Sequence, residues 1–171
     1  MAGFLMGLSA GVEAENLPDA VTQRSTLKVA LEGSYPPFNF KENGQLTGFE
    51  VALARALAQK LGVRAEFGTS EWSAMLAGLQ VGRYGAVVNQ VDITDKRKEI
   101  FDFSEPYTLS SPQLIVRKGE TRIFKTLADL KDKKLGLGQG TNFADVARAK
   151  GGIDIKTYPG SPKYLQDLAP G

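Results

Sequence analysis

Short apolar runs alternate with amphipathic stretches along the chain, and this alternation limits the possible folds more than any other feature. Residues 27–31 form a short, mostly apolar run of strand type, and residues 86–88 are a continuous apolar run, which is typical of a strand buried on both faces of a sheet. Between them, Phe49, Leu53 and Leu57 recur every four residues, which is the spacing of an amphipathic helix. Strands that alternate with helices in this order predict an α/β fold with a parallel, doubly wound sheet.

The rest of the chain continues this alternation. Predicted strands cover residues 64–67, 113–117, 134–137 and 153–158, and predicted helices cover residues 72–79 and 127–131 and begin near residues 142 and 162. A change in composition between residues 117 and 125 indicates a boundary between two lobes. We therefore predict a first lobe over residues 15–113 and a partial second lobe over residues 114–171.

The composition removes several classes of function. The 171 residues include 21 Lys and Arg and 19 Asp and Glu, and the net charge of +2 is too small to indicate nucleic acid or an anionic membrane as a partner. The chain has no cysteine and no histidine. Disulfides, thiolate or imidazole metal sites, cysteine nucleophiles and Ser-His-Asp catalysis are therefore excluded, and we expect no metal and no cofactor.

The first residues have the composition of an export signal. Residues 2–12 are almost all small or apolar, but they are too few to span a bilayer, which needs about 20 residues. Residues 12–14 fit the small-x-small pattern of signal-peptide cleavage, so residues 1–14 are predicted to be a signal-peptide remnant cut after Ala14. The basic residue that usually precedes the apolar stretch is absent. The alternative is a buried N-terminal helix that contains Gly3, Gly7 and Gly11.

The segment of residues 32–38 directly follows the first predicted strand and reads Glu-Gly-Ser-Tyr-Pro-Pro-Phe. Ligands of open α/β sheets bind beyond the carboxyl ends of the strands, so Glu32, Tyr35 and Phe38 lie where a ligand could contact them. A proline-rich turn with two core aromatic residues explains the same pattern.

The segment of residues 89–97 follows the strand at residues 86–88 in the same way. Thr94 or Asp95 can cap the next helix, which places Arg97 in its first turn. An arginine near a helix N-terminus opposes the helix dipole, and a bound carboxylate held in a two-pronged contact would offset that cost. A solvated charged face is an equally good interpretation of these residues alone.

A third segment, Gly138-Gln139-Gly140-Thr141-Asn142, joins a predicted strand to a predicted helix. Backbone N–H groups at a helix N-terminus bind anions, which makes the segment a candidate binding loop. It lacks the lysine of a P-loop and the glycine spacing of a dinucleotide site, so an ordinary strand-to-helix turn is the default interpretation.

Together, these segments resemble the family 3 extracellular solute-binding proteins, the amino-acid receptors of bacterial ABC importers. The resemblance runs from about residue 17 to the end of the chain. It is strongest over residues 32–40, 48–51, 94–97, 103–107 and 140–142. The Glu-Gly-x-Tyr-Pro-Pro-Phe and Asn-Gln-Val stretches resemble the cystine-binding receptors in particular.

The resemblance implies a type II periplasmic-binding-protein fold, the two-lobed Venus flytrap, with an incomplete second lobe. It implies a protein that is not an enzyme. Such a protein binds a polar amino acid in the periplasm, cystine first among the candidates, by hinge closure between the lobes. It then delivers the ligand to an ABC transporter permease in the inner membrane. About a third of the usual family length would be missing from this chain.

The resemblance also implies a role for each site residue. Arg97 would grip the ligand α-carboxylate, and Thr141 and Asn142 would add donors to it from the second lobe. Tyr35 and Trp72 would form aromatic walls around the ligand. The remaining assignments are Asn89 and Gln90 as carbonyl acceptors of the α-ammonium, Glu32 and Gly138 near the ligand side chain, and Asp92, where the family usually has serine or threonine, as a further acceptor.

Two other hypotheses remain open at this point. One is a truncated, binding-incompetent fragment of such a receptor, which would self-associate through its incomplete sheets. The other is an enzyme on the same fold, similar to cyclohexadienyl dehydratase, in which Glu32 or Asp92 would act as general acid or base.

Overall fold

The computed structural model describes residues 2–7, 21 and 25–170, and the chain divides into two compact units, Met1–Ser110 and Ser111–Gly171. The strands of the first unit are β1 (Ala2–Gly7), β2 (Thr26–Leu31), β3 (Ser34–Tyr35), β4 (Asn39–Glu42), β5 (Gln45–Thr47), β6 (Arg64–Thr69), β7 (Ala86–Asp92) and β8 (Phe101–Phe103). Its α-helices are α1 (Phe49–Lys60), α2 (Trp72–Gln80) and α3 (Asp95–Lys98). None of the helices in these described residues is long and apolar enough to cross a membrane.

The main sheet of the first unit has the strand order β6-β2-β7-β1-β8. β2 runs parallel to both β6 and β7, as the alternation of strands and helices predicts. Successive residues of β2 point to opposite faces of the sheet, so Val29 joins the core on one face and Ala30 joins the core on the other. The sheet is therefore covered on both faces, and the doubly wound prediction is confirmed.

The helix α1 forms where the leucine spacing predicts it, but the face it buries is shifted. Val51, Ala54 and Ala58 are fully buried, whereas Phe49 is 49% exposed. Small alanine side chains let the helix backbone lie close to the sheet, while the leucines of the predicted stripe pack at its margin. The stripe of larger side chains therefore indicated the helix but not its most buried positions.

A small antiparallel sheet, β3-β4-β5, sits beside the end of β2 and was missed by the sequence analysis. Its hairpin turns at Asn43 and Gly44, which have φ angles of 50° and 79°. An Asn-Gly pair with positive φ at both positions is the preferred two-residue hairpin turn, so the signal was present in the sequence. This sheet positions Tyr35 and Asn39 next to the main sheet.

The N-terminal residues Ala2–Gly7 form β1, which lies between β7 and β8 and runs antiparallel to both. The alternative of an N-terminal helix is therefore wrong for these residues. The signal peptide stays a prediction, and its cleavage site at residues 12–14 lies outside the described residues. Leu5 pairs with Val87 on one side and with Phe103 on the other.

The second unit contains a two-stranded parallel sheet, β9 (Lys134–Gly138) and β10 (Asp154–Tyr158). A 3-10 helix (Leu127–Leu130) precedes it, and α4 (Asn142–Lys150) and α5 (Ser161–Leu168) complete the unit. The predicted strand at residues 113–117 does not form, because no described strand pairs with it. Its side chains Leu114, Ile115 and Val116 are instead 43%, 57% and 43% exposed.

Candidate functional site

The side chain of Arg97 is held against the carboxyl end of β7. Thr94 caps α3, since its hydroxyl accepts a hydrogen bond from the Arg97 N–H at 3.3 Å, which confirms the predicted cap. Arg97 is only 9% exposed, its Nη1 donates to the Asp92 carbonyl at 2.9 Å, and its guanidinium carbon lies 5.4 Å from the centre of the Trp72 ring. A guanidinium has five N–H donors, so one oriented in this way suits a two-pronged contact with a carboxylate.

Tyr35 lies at the end of β3, half-buried, with its ring centre 5.2 Å from that of Phe38. Burial raises the pKa of the Tyr35 hydroxyl, and the negative charges of Glu50, Glu32 and Asp92 raise it further. These charges act on Tyr35 only because they are near it. Tyr35, the predicted aromatic wall, therefore lies near two of the predicted acids, Glu32 and Asp92.

Glu32 and Asn89 form a reciprocal pair across the ends of β2 and β7. The Glu32 N–H donates to Asn89 Oδ1 at 2.8 Å, and Asn89 Nδ2 donates to Glu32 Oε2 at 3.0 Å. Burial raises the pKa of the Glu32 carboxyl group, the bond from Asn89 partly opposes this, and the charges of Glu50 and Glu71 add to it. The predicted acid therefore points toward β7 and is fixed by a neighbouring predicted residue.

Beneath this pair lies a hydrogen-bonded network that the sequence analysis did not assign to the site. Glu50 is fully buried and accepts from Asn39 Nδ2 at 2.5 Å, from the Gln90 N–H at 2.6 Å and from the Tyr107 hydroxyl at 2.5 Å. Asn39 Nδ2 also donates to Asn89 Oδ1 at 2.9 Å, which joins the network to the Glu32 pair. A glutamate in the first turn of a helix ordinarily indicates a solvated partner for the helix dipole, so nothing in the sequence marked it as buried.

Gln90 has a left-handed backbone, with φ of 49°. Its amide Nε2 donates to Glu50 at 3.1 Å, and its Oε1 accepts from the Thr108 hydroxyl at 2.9 Å. A non-glycine residue in this region costs about 1 kcal/mol, so its surroundings must hold it there. Both predicted acceptors, Asn89 and Gln90, are thus fixed by side-chain bonds.

The second unit places the other three predicted residues at the turn from β9 into α4. The Thr141 hydroxyl donates to the Gly138 carbonyl at 2.8 Å and accepts from the Ala144 N–H at 3.3 Å, so Thr141 caps the helix. A hydroxyl has one proton to donate, and here Gly138 receives it. The Thr141 backbone N–H also donates to the Gly138 carbonyl, at 3.3 Å, so both donors of Thr141 are used within the turn. The next N–H along the chain is that of Asn142, the first residue of α4.

The structure thus brings the predicted residues together in two sets. Seven lie in the first unit, namely Glu32, Tyr35, Trp72, Asn89, Gln90, Asp92 and Arg97, and three lie in the second, namely Gly138, Thr141 and Asn142. Among the residues that the structure describes, no group of three or more acidic side chains is placed to hold a metal ion. The first-unit set offers one cation, hydrogen-bond acceptors and aromatic faces, which is the chemistry that binds a zwitterion.

Comparison with known proteins gives a consistent result. The family model described as bacterial extracellular solute-binding proteins, family 3, matches residues 27–168. The L-cystine-binding protein TcyJ of Escherichia coli (strain K12) is 48% identical over 159 residues, which cover 92% of this chain and 60% of that protein. The chain therefore spans about three-fifths of the length of this curated relative.

Two solved structures have similar folds. The ancestral amino acid-binding protein AncCDT-1, a precursor of cyclohexadienyl dehydratase, has a TM-score of 0.83 and 35% identity, over 90% of this chain and 70% of that one. The amino acid ABC transporter substrate-binding protein AbpA from Streptococcus pneumoniae, bound to L-arginine, has a TM-score of 0.82 and 30% identity, over 88% of this chain and 65% of that one. The predicted fold class is confirmed for the part of the fold that the chain contains.

Proposed function

The chain belongs to the bacterial extracellular solute-binding proteins of family 3, and from that premise we propose that it binds a polar amino acid in the periplasm without transforming it. L-Cystine is the first candidate ligand, because the relative that is 48% identical is named for it. The proposal includes export of the chain and delivery of the ligand to an ABC transporter permease in the inner membrane.

One observation carries the proposal. Arg97 is nearly buried, its guanidinium lies over the Trp72 ring, and the Asp92 carbonyl orients it. A guanidinium fixed in this way, with one side against an aromatic ring, is suited to hold a carboxylate in a fixed direction. We assign it to the α-carboxylate of the amino acid.

The charges around Arg97 narrow the class of ligand. The predicted residues of the first unit include one cation, Arg97, and two acids, Glu32 and Asp92, so this set is negative overall. Charge complementarity therefore favours a ligand with a second cationic group over one whose side chain carries only a carboxylate. L-Arginine has a net positive charge, and L-cystine is neutral overall because its second ammonium group accompanies a second carboxylate, whereas L-glutamate has a net negative charge.

The second unit contributes through its helix terminus in this proposal. The N–H of Asn142, in the first turn of α4, has no partner within the helix itself, and we assign it to a ligand carboxylate, with Thr141 as the residue that caps the same turn. Gly138 remains assigned near the ligand side chain.

The test is thermal unfolding and titration calorimetry of this chain with a panel of amino acids that includes L-cystine, L-arginine and L-glutamine. A ligand at 100 times its dissociation constant adds about 2.7 kcal/mol of stability, which raises the unfolding midpoint visibly. We expect a selective rise with L-cystine or L-arginine. A cooperative melt that no amino acid shifts would leave a folded but binding-incompetent chain and would contradict the proposal. Turnover of prephenate or arogenate would instead favour the dehydratase hypothesis.

A further inference from the structure

We propose that Glu50 is a positioning residue for ligand binding, which holds the Asn89–Gln90 peptide so that the Asn89 carbonyl faces the ligand ammonium. The inference rests on the proposed function and adds to it a residue that lies outside the predicted site. It depends on contacts within the first unit only.

Glu50 is buried completely, yet each of its hydrogen bonds described above comes from a neutral donor. Gln90 donates from its backbone N–H at 2.6 Å and from its side-chain Nε2 at 3.1 Å, both to Glu50 Oε1. The Tyr107 hydroxyl donates to the same oxygen at 2.5 Å, and Asn39 donates to Oε2 at 2.5 Å. Two of these four bonds therefore come from a single residue, Gln90.

Because the Gln90 N–H contacts Glu50, the geometry of the peptide unit determines where the Asn89 carbonyl points. A trans peptide is planar, so its carbonyl points the opposite way from its N–H. The Gln90 N–H points at Glu50, and the Asn89 carbonyl therefore points away from Glu50. The backbone N–H of Gln90 also donates to the Tyr107 hydroxyl oxygen at 3.2 Å, which favours the same orientation of the peptide.

The pairing of β7 with its neighbours is irregular at this peptide. The register of β7 with β1 jumps from Val91 to Val87, and its register with β2 reaches only to Val87. The Asn89–Gln90 peptide thus lies outside both described ladders, at a point where Gln90 takes its left-handed conformation. The Gln90 N–H donates to Glu50, where the N–H of an ordinary strand residue would donate to a neighbouring strand.

Glutamine at position 50 would match the shape of glutamate but not its chemistry. It offers one acceptor oxygen and an NH2 group, whereas the donors from Asn39, Gln90 and Tyr107 meet both oxygens of the carboxyl group. At least one donor would then face another donor. We expect the Gln90 peptide to relax toward negative φ and to turn the Asn89 carbonyl away from the ligand.

The experiment measures binding of L-cystine and L-arginine to wild type, Glu50→Gln and the double variant Glu50→Gln with Gln90→Gly. Glycine adopts positive φ without cost, so it restores access to the bound conformation when Glu50 no longer enforces it. We expect E50Q to weaken binding about tenfold or more, and the additional Gln90→Gly change to recover about threefold. Glu42→Gln, a change at an exposed position on β4, is the matched control and should leave binding unchanged.

A purely structural role for Glu50 predicts no recovery by glycine at position 90, and that result would overturn the inference. Unchanged affinity in folded E50Q would also overturn it. If E50Q does not fold, Tyr107→Phe decides instead, because it removes one donor to Glu50 and one acceptor from the Gln90 N–H. An affinity lowered about threefold in Y107F supports the inference, and an unchanged affinity contradicts it.

Two different measurements distinguish a failure of the proposed function from a failure of this inference. A wild-type chain that binds neither amino acid contradicts the proposed function. The amide proton shift of Gln90, measured by NMR without ligand in wild type and E50Q, then reports on the peptide directly. An upfield shift in E50Q shows that Glu50 holds the peptide, and an unchanged shift shows that it does not.

Discussion

The guanidinium of Arg97 lies over the ring of Trp72, with 5.4 Å between the guanidinium carbon and the ring centre. The two residues come from different helices, α3 and α2, and meet beyond the carboxyl end of the main sheet. A cation held against an aromatic face keeps its charge while losing little freedom on binding a ligand. The pair therefore gives the proposed site a preformed anion-binding edge.

Replacement of Arg97 by alanine should weaken amino-acid binding by about 100-fold, since a charge-assisted contact contributes about 1.5–3 kcal/mol. Arg97→Lys retains the charge but not the two-pronged geometry, so its affinity should fall between those of wild type and R97A. Titration calorimetry with L-cystine and L-arginine provides the measurement. Arg148→Ala, at an exposed position on α4, serves as the control, and an R97A affinity equal to that of this control would exclude Arg97 from the site.

The stability of the protein should depend on pH through Glu32. Burial raises the pKa of this carboxyl group in the folded state, so the folded chain binds its proton more tightly than the unfolded chain does. Between the unfolded pKa and the raised folded pKa, the contribution of Glu32 to the free energy of unfolding therefore falls as pH rises. Below the unfolded pKa the full contribution is present.

Glu32→Gln removes this titration and keeps an acceptor for Asn89 Nδ2. Urea unfolding of both proteins at a series of pH values from about 4 to 8 tests the idea, because the E32Q protein should gain stability relative to wild type as pH rises. A difference that stays constant with pH, or that changes in the opposite direction, would contradict the described environment of Glu32.

The turn from β9 into α4 requires glycine at position 138. A Cβ there would lie 2.9 Å from Thr141 Cγ2, so Gly138→Ala should destabilise the protein by about 1–3 kcal/mol. Thr141→Ser removes that methyl group and keeps the capping hydroxyl, so the double variant should regain most of the loss. Thermal unfolding of the single and double variants gives the comparison, and an equal loss in both would rule out the methyl contact as the cause.

Two glycines near the antiparallel sheet allow the cost of backbone strain to be compared with the cost of a steric clash. Both have positive φ, but a Cβ on Gly48 would overlap the Phe38 carbonyl oxygen, whereas nothing lies within 4 Å of one on Gly44. Gly44→Ala should cost about 1 kcal/mol and Gly48→Ala clearly more, because backbone atoms must move. Chemical denaturation of the two variants should show this order, and equal losses would mean that the chain relaxes around position 48.

The apolar run Leu114–Val116 should promote self-association, because its side chains are about half exposed and no described strand pairs with it. Ile115→Lys places a charge in the middle of the run and should lower the average mass that light scattering measures at high concentration. Val146→Lys, at another exposed apolar position on α4, controls for added charge. Equal effects of both substitutions would show that the apolar run has no particular role in self-association.

The sequence predicted strands and helices well where the spacing of apolar residues follows directly from the backbone conformation. Val29 and Val87 lie in strands, and Leu53 lies in a helix, as their spacing indicates. Ile115 has the same pattern as a strand residue but lacks a neighbouring strand among the described residues, and pairing is a property of the whole fold rather than of the run. The β1 strand escaped prediction for the same reason, since its partners lie far along the chain.

The candidate site was predicted only in part. The meeting of Arg97 with Trp72 agrees with the expectation that both belong to one site, while the ligand contacts themselves stay predictions. Glu50 could not be assigned from its spacing, because a buried acid and a solvated one at a helix start have the same pattern. Its burial follows from donors on Asn39, Gln90 and Tyr107, which only the folded chain brings together.

The placement of β1 has a consequence for the order of events during synthesis. Leu5 is made early but pairs with Phe103, so the sheet cannot close until β8 has been synthesised. The same residues, 2–7, belong to the predicted export signal. Export through the predicted signal and incorporation of β1 into the sheet would therefore compete for the same residues, because one segment cannot do both at once.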